Sequence, residues 1–165
     1  MTWSRRAQAL TVTVILVLDQ VVKALVRSRL AYGESLNVID GFLALTRVHN
    51  TGAAFGMLDL VVFPYKAVVM PLVASAALAG LAIYAATLDA SQQLSRIGLT
   101  LVIGGAAGNL IDRFTAGYVL DFVDVYWGDW HFWAFNVADA SISVGVVLMI
   151  LDVLGAGRHR VSRTV

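Results

Sequence analysis

The chain has 165 residues, of which 59% are hydrophobic and only 14% charged, with a formal net charge of +1. Such an apolar composition excludes an ordinary soluble domain and indicates a membrane protein, while the length suits one domain. The near-neutral charge argues against a nucleic-acid partner, which selects for a basic patch. The sequence contains no cysteine, which excludes disulfides and thiolate chemistry, and its three histidines lie too far apart to predict a metal site.

Four apolar segments are long enough to cross a bilayer, which takes about 20 residues. We predict one membrane domain over residues 1–165, with spans at approximately 7–26, 65–88, 97–114 and 137–154. The first span follows two arginines, as a signal peptide would. Because it is long and no small-x-small cleavage motif follows it, we interpret it as an uncleaved span.

The first span carries two charged residues in its C-terminal half. Asp19 and Lys23 are four residues apart, so they share a helix face and can form an ion pair. A carboxylate inside a span costs about 2.5–3.5 kcal/mol on insertion scales, so Asp19 should face protein or water. A purely structural ion pair between helices explains these two residues as well as a functional role does.

The segment between the first two spans has a different pattern. Two short apolar runs, 36–39 and 42–46, flank Asp40-Gly41, a pair that favours a two-residue β-hairpin turn. This predicts a small sheet outside the hydrocarbon. The polar and small residues at 50–56 follow, and the simplest interpretation is that Asn50 or Thr51 caps a short helix.

Five of the eleven acidic residues lie between residues 104 and 142. At the end of the third span, Gly104 and Gly108 favour close helix packing, and Asn109 and Asp112 share one face beside Arg113. The alternating run 118–127 predicts a strand that contains Asp121, and 127–130 predicts a turn within an aromatic-rich segment suited to the membrane interface. Asn136 and Asp139 have the spacing of a helix capping box, so capping alone explains Asp139.

Two carboxylates held close together can supply a complete hydrolytic site. The second charge is opposed by the first, so the pair retains a proton and can act as general base and general acid together. This is the aspartic-protease arrangement, which requires no metal, cofactor or thiol. The residue pattern alone does not establish which aspartates meet.

The chain resembles the bacterial lipoprotein signal peptidases (signal peptidase II), a family of membrane aspartyl proteases. The similarity covers almost the whole chain and rests on five motifs in order: Asp19-Gln20-x-x-Lys23, Asn50-Thr51-Gly52-Ala53-Ala54-Phe55, Gly108-Asn109-x-x-Asp112-Arg113, Val119-x-Asp121-Phe122 and Phe135-Asn136-x-Ala138-Asp139. The resemblance implies four transmembrane helices with a small extracytoplasmic β-sheet. It also implies that Asp121 and Asp139 are the catalytic pair.

By the same resemblance, a set of polar residues would bind the substrate or support the pair: Asp19, Lys23, Asn50, Asn109, Asp112, Arg113 and Asn136. The implied substrate is a prolipoprotein whose cysteine carries diacylglyceryl, cut on the N-terminal side of that cysteine, with membrane lipid as the other partner. No cofactor or metal is expected, and the oligomeric state stays open.

Two other functions fit a chain of this kind. A proton- or ion-coupled transporter would place carboxylates along a path through the membrane, and many transporters contain inverted repeats. A non-catalytic four-span scaffold would use its acids only for capping and pairing. The lysines and arginines divide evenly between the two faces, but those at the termini look free of partners, so we expect both termini in the cytoplasm of an inner-membrane protein and the active site near the outer face.

Overall fold

The computed structural model describes residues 4–52, 65–89 and 91–161, the last six of these by backbone alone. Within these residues the chain forms four helices: α1 Arg5–Arg29, α2 Lys66–Thr87, α3 Gln93–Thr115 and α4 Val137–Val161. It also forms four strands: β1 Ser35–Ile39, β2 Leu43–Asn50, β3 Val119–Trp127 and β4 Trp130–His131.

All four helices are long and apolar enough to cross a membrane. Helix α2 agrees with its predicted span to within one residue at each end, and the other three extend beyond theirs. They extend because hydropathy marks the apolar part of a span, whereas the hydrogen-bonded helix continues into flanking polar residues. Leucine and valine side chains cover the outer faces of the helices, which is the surface that a bilayer would solvate.

Helix α3 is the centre of the bundle and packs against each of the other three helices. In α3, 50% of an apolar 18-residue stretch is buried inside the protein, compared with 6% of the corresponding stretch in α2. Glycines make the contact with α4 close, because a Cβ atom at Gly98 would collide with the carbonyl oxygen of Gly145, and one at Gly105 with that of Ala138. The predicted pair, Gly104 and Gly108, lies instead against α1, so close packing is present but those two glycines serve the α1–α3 contact.

The sheet is antiparallel with the strand order β1-β2-β3-β4. The predicted hairpin forms β1 and β2, and Asp40 and Gly41 are the central residues of a β-turn closed by a hydrogen bond from the Phe42 nitrogen to the Ile39 carbonyl oxygen at 3.0 Å. Strand pairing resumes at Leu43, one residue later than predicted, so the loop has three residues, and the register shifts between Asn37 and Ile39. Gly41 has φ +77°, a conformation that glycine adopts without steric cost.

The strand predicted at 118–127 is present as β3, and it carries the sheet into the protein core. Its first four residues are buried, and Leu120 and Phe122 pack with Val26 and Leu30 at the end of α1. The turn to β4 uses Gly128 at φ +58°, which confirms the turn predicted at 127–130. Backbone hydrogen bonds from Phe122 and Val123 to the Phe135 carbonyl oxygen then fix the start of α4 beside β3.

Candidate active site

The first component of the candidate site is the N-terminus of α4. Asn136 is the residue before the helix, and its side-chain oxygen accepts a hydrogen bond from the backbone nitrogen of Asp139 at 2.9 Å. The Asp139 carboxylate accepts in return from the backbone nitrogen of Asn136 at 3.2 Å. This is the capping box that the spacing predicts, and it fixes the Asp139 side chain at the helix end.

The second component is Asp121 in the buried part of β3. Its Oδ1 accepts from the side-chain nitrogen of Asn136 at 2.7 Å, and its Oδ2 accepts from that of Asn50 at 3.1 Å. Asn50 is the last residue of β2, and its own side-chain oxygen accepts from the backbone nitrogen of Gly52. The helix cap suggested for residues 50–56 lies largely outside the described residues. In the structure, the Asn50 side chain contacts Asp121.

Asn136 and Asn109 connect the two carboxylates. Asn136 contacts both Asp121 and Asp139, and it also donates to the side-chain oxygen of Asn109 at 3.1 Å. Asn109, on α3, donates to Oδ1 of Asp139 at 2.7 Å. Each of the four carboxylate oxygens therefore accepts from a neutral N–H group. Among the described residues neither Asp121 nor Asp139 forms an ion pair.

A second pair of carboxylates is neutralised by a cation. Lys23 is fully buried and contacts Asp19 at 2.7 Å and Asp112 at 2.9 Å, and it donates to the side-chain oxygen of Asn109 at 3.1 Å. The ion pair predicted between Asp19 and Lys23 is thus present. Because Lys23 also contacts Asn109, this ion cluster of Asp19, Lys23 and Asp112 lies directly behind the carboxylate pair.

Both acids of the ion cluster also accept hydrogen bonds from backbone nitrogens. Asp19 accepts from the backbone nitrogen of Ala138 in the first turn of α4, and Asp112 accepts from that of Leu120, next to Asp121. The ion cluster therefore fixes the two segments that carry the candidate pair. Asp19 and Lys23 therefore have the structural role that the sequence left open.

Two contributors to the ion cluster were absent from the predicted site. Arg27 donates to Asp112 at 3.0 Å, and Gln20 donates to Asp19 at 3.2 Å and approaches Asp112 at 3.4 Å. Arg27 could have been predicted from its spacing, since it lies four residues after Lys23 and so on the same face of α1. The sequence includes Gln20 in the first motif but does not predict its contact, because a neutral side chain next to Asp19 has many possible roles.

Arg113 connects the site to the segment after β2. Its guanidinium donates to the carbonyl oxygens of Asn109 and Gly52, at 3.2 and 3.0 Å. Gly52 in turn donates to Asn50, which contacts Asp121. All nine residues predicted for the site thus belong to one connected set of contacts. Asp124 and Asp129 do not, since Asp124 bonds to His131 and Asp129 is exposed in the β3–β4 turn.

The environment of Asp121 favours its protonated form. Burial, reinforced by the negative charge of Asp139, raises the pKa of Asp121 from 3.8 to about 7. The hydrogen bonds from Asn50 and Asn136 act in the opposite direction and limit the rise. At neutral pH this carboxyl is therefore poised to hold or release a proton, which is the property that acid–base catalysis requires.

His49 and His131 make contacts outside this set, since His131 bonds to Asp124. His49 stacks on Tyr118 at 3.6 Å between ring centroids, and burial together with Arg47 lowers its pKa below 6.5, which keeps it neutral at pH 7. Within the described part of the chain there is no group of three histidine, cysteine or acidic side chains arranged to hold a metal ion.

Four membrane-crossing helices, a small sheet and a carboxylate pair at one end of the bundle define a multi-pass membrane protein with a site suited to hydrolysis. A profile of the family described as "Signal peptidase (SPase) II" matches residues 11–155, and the chain belongs to that family of peptidases.

Individual relatives agree with this assignment. The chain is 45% identical to the lipoprotein signal peptidase of Symbiobacterium thermophilum over 141 residues, which cover 86% of this chain and 90% of the relative. It is 42% identical to that of Geobacter metallireducens over 155 residues, 94% of both chains. Its fold is similar to a solved bacterial membrane enzyme, with a TM-score of 0.80 and 29% identity over 93% of this chain and 96% of that one.

Proposed function

We propose that the protein is an aspartic endopeptidase that removes signal peptides from diacylglyceryl-modified prolipoproteins, cutting on the N-terminal side of the lipidated cysteine. Family membership supports the peptidase activity and the class of substrate. The observation that carries the aspartic mechanism is the difference between the two pairs of acids. Lys23 and Arg27 together balance Asp19 and Asp112, whereas Asp121 and Asp139 accept from neutral amides and so can share a proton.

In the proposed reaction the ionised member of the pair takes a proton from a water molecule, and the water oxygen attacks the scissile carbonyl carbon. The protonated member donates to the carbonyl oxygen at the same time, which avoids building a full negative charge there. The tetrahedral intermediate then collapses as one of its hydroxyl groups returns a proton to the pair and the carbon–nitrogen bond breaks. The leaving nitrogen of the cysteine takes a proton from the other carboxyl, so the pair again holds one proton. Asn50, Asn109 and Asn136 orient the carboxylates throughout by donating to fixed oxygens.

The site's position fits a substrate that stays in the membrane. Asp139 and Asp112 lie at the ends of membrane-crossing helices, so a cleavage site next to a lipidated cysteine can reach them while its acyl chains remain in the bilayer. We place the protein in the inner membrane, with both termini in the cytoplasm and the pair near the outer face. Membrane lipid is then the second partner.

The proposal is tested by presenting the purified protein, in detergent, with one prolipoprotein in two forms. One form carries diacylglyceryl on its cysteine and the other does not. Each buried CH₂ contributes about 0.8 kcal/mol, so the lipidated form should be cut much faster. Shortening of the precursor is followed by mass spectrometry, and the double variant Asp121→Asn/Asp139→Asn is the control for contaminating proteases. Equal rates on the two forms would refute the lipid requirement, and no product from either would refute the peptidase.

The two rival functions find less support. Helix α4 carries acids at Asp139 and Asp152 only, about 20 Å apart along the helix, so its carboxylates do not form a path through the membrane. A scaffold has no need for a buried carboxyl whose pKa lies near 7, because burying its charge costs stability and, among the described residues, no ion pair offsets that cost.

A further inference from the structure

A cavity lies at the opposite end of the bundle from the carboxylate pair. It has a volume of about 640 Å³ and is formed by the N-terminal halves of α1 and α3 together with the end of α2. Along α1, Arg5 in the cavity and Lys23 in the ion cluster are eighteen residues apart, which is about 27 Å of helix. The cavity is therefore separate from the candidate active site, and its volume falls in the range of about 300–1,000 Å³ typical of small-molecule sites.

The lining of the cavity changes from polar to apolar along the helices. Its residues follow the spacing i, i+3, i+4, i+7 on both helices, from Arg5 to Val12 on α1 and from Arg96 to Ile103 on α3. On each helix the arginine comes first and an apolar side chain comes last, two turns deeper in the bundle. The two helices thus present matching faces, with a cationic mouth and an apolar floor.

The mouth of the cavity attracts anions. Arg5 and Arg96 come from different helices, and among the described residues that line the cavity none is acidic. Asp152, the acid that contacts the first turn of α3, accepts from the backbone nitrogen and hydroxyl of Ser95 and does not line the cavity. Both α1 and α3 also begin at this end, so their helix dipoles add positive potential.

The apolar part of the cavity, here called its floor, opens sideways to the surface that lipid would cover. On this open side it is lined by Ala9 on α1 and by Ala85 and Ala86 on α2, and all three are exposed. A molecule with an anionic head and an apolar tail would therefore place its head at the arginines and leave its tail along the helices. Basic cavities between membrane helices are typical binding sites for anionic lipid headgroups.

We propose that this cavity binds an anionic phospholipid, with the phosphate at Arg5 and Arg96 and the upper acyl chain against the floor. A free phosphate ion has the same head chemistry, but it would leave the apolar floor and most of the volume unfilled. The inference does not rest on the peptidase activity, because the cavity shares no residue with the candidate active site.

The test uses the full-length protein in micelles of a neutral detergent. Native mass spectrometry measures the fraction that binds dioleoylphosphatidylglycerol, dioleoylphosphatidylcholine or inorganic phosphate over a titration. We expect the phosphatidylglycerol to bind more tightly than the phosphatidylcholine. Arg5→Gln and Arg96→Gln should each weaken its binding about fivefold, the effect of one basic residue near an anionic lipid. Arg6→Gln is the matched control, since Arg6 is exposed and does not line the cavity, and it should change binding less than twofold.

Ala9→Trp separates the two sources of phosphate. A large side chain in the floor should weaken phospholipid binding while leaving any binding of inorganic phosphate unchanged. The proposal is overturned if phosphatidylglycerol binds equally to the wild type and to Arg5→Gln and Arg96→Gln. It is also overturned if millimolar inorganic phosphate displaces the lipid, since the cavity is then a site for free anions. Arg5 is exposed at the first residue of α1, so Arg5→Gln tests the proposal even if Arg96→Gln fails to fold.

Discussion

Asp112 and Asp121 show how the environment of a carboxylate decides its role. Asp112 is fully buried and balanced by Lys23 and Arg27, so it is ionised and its oxygens are committed to fixed partners. Removing one member of a buried ion pair typically costs about 3–5 kcal/mol, because the other charge stays buried. Among the described residues Asp121 accepts hydrogen bonds from amides only, so its charge can change without leaving a buried cation unpaired. The first environment suits support and the second suits proton transfer.

We predict that Asp121→Asn and Asp139→Asn each abolish cleavage of a lipidated precursor. Asparagine keeps the size of the side chain but cannot exchange the proton. Because residues that act as a unit lose activity non-additively, each single variant should lose nearly as much activity as the double variant. Cleavage is measured at matched membrane levels of folded protein.

Asp124 and Asp112 provide controls on the same chain. Asp124→Asn should retain most activity, since Asp124 bonds to His131 away from the pair. Asp112→Asn should lose part of the activity together with stability, because it leaves Lys23 buried with one carboxylate fewer. Substantial turnover by Asp121→Asn would exclude this pair. An inactive Asp112→Asn beside an active Asp121→Asn would move the catalytic role to Asp112 and Asp139.

The raised pKa of Asp121 predicts a particular dependence of stability on pH. The folded carboxyl titrates near pH 7 and the unfolded one near 3.8, so between these values the folded state binds more protons and stability falls as pH rises. Because asparagine does not titrate, Asp121→Asn removes this fall in stability. The variant should therefore melt at a higher temperature than the wild type at pH 8, with a difference that shrinks towards pH 4. Thermal unfolding at three pH values measures it, and a constant difference would contradict the assigned pKa.

At the level of elements, the α3–α4 contact determines the distance between Asn109 and Asp139. Gly105 lies one turn before Asn109, and a Cβ atom there would collide with the carbonyl oxygen of Ala138, the residue before Asp139. Gly105→Ala should force the helices apart, at a cost of about 1–3 kcal/mol for overpacking, and should lower both the melting temperature and the cleavage rate.

Gly80→Ala is the matched control for the α3–α4 contact. Gly80 lies in α2, and among the described residues no atom beyond its chain neighbours and its own helix backbone lies within 4 Å of the position that an added methyl group would take. The substitution should therefore be neutral or slightly stabilising through helix propensity. If Gly105→Ala melted and cleaved like Gly80→Ala, close helix approach would not be what positions Asn109.

The helices and strands were predictable because each has a local signal. The apolar runs marked four spans, the alternation at 118–127 marked β3, and the spacing of Asn136 and Asp139 marked the start of α4. The hairpin loop was predicted one residue too short, because Asp40-Gly41 also fits a three-residue loop and the sequence does not show where pairing resumes. Local signals therefore determine the elements but not the register between them.

The site was predictable only in part, since most of its contacts join residues far apart in the chain. The spacing predicted that Asp139 caps α4, and it does, but the spacing does not reveal that the same carboxylate accepts from Asn109 on α3. Which acids meet Lys23 depends on how α1 and α3 pack, and periodicity does not reveal this. The resemblance supplied the set of residues, whereas the division between cation-bound and amide-bound acids required the structure.

For the whole molecule, the two ends of the bundle differ in how their basic residues are used. At the sheet end, Lys23 and Arg27 contact Asp112, and Arg47 donates to the carbonyl oxygens of Arg27 and Leu30. At the other end, Arg5 and Arg96 line a cavity without acidic lining residues in the described chain. An anionic membrane surface would attract these two arginines, which favours placing that end in the cytoplasm although the basic residues divide evenly by number.

This arrangement predicts the topology of the protein in the cell. Ser4 and Ser91 precede α1 and α3 at one end of the bundle. Ser35 begins β1 and Asp129 lies in the β3–β4 turn, both at the other end. The structure therefore requires the two pairs to lie on opposite sides of the membrane. Because the sequence has no cysteine, a single cysteine at each position reports its own location to an impermeant maleimide. We expect labelling of intact spheroplasts at Ser35→Cys and Asp129→Cys only, with all four positions labelled after permeabilisation. Labelling at Ser4→Cys and Ser91→Cys instead would reverse the orientation, and labelling of one member of each pair would contradict the fold.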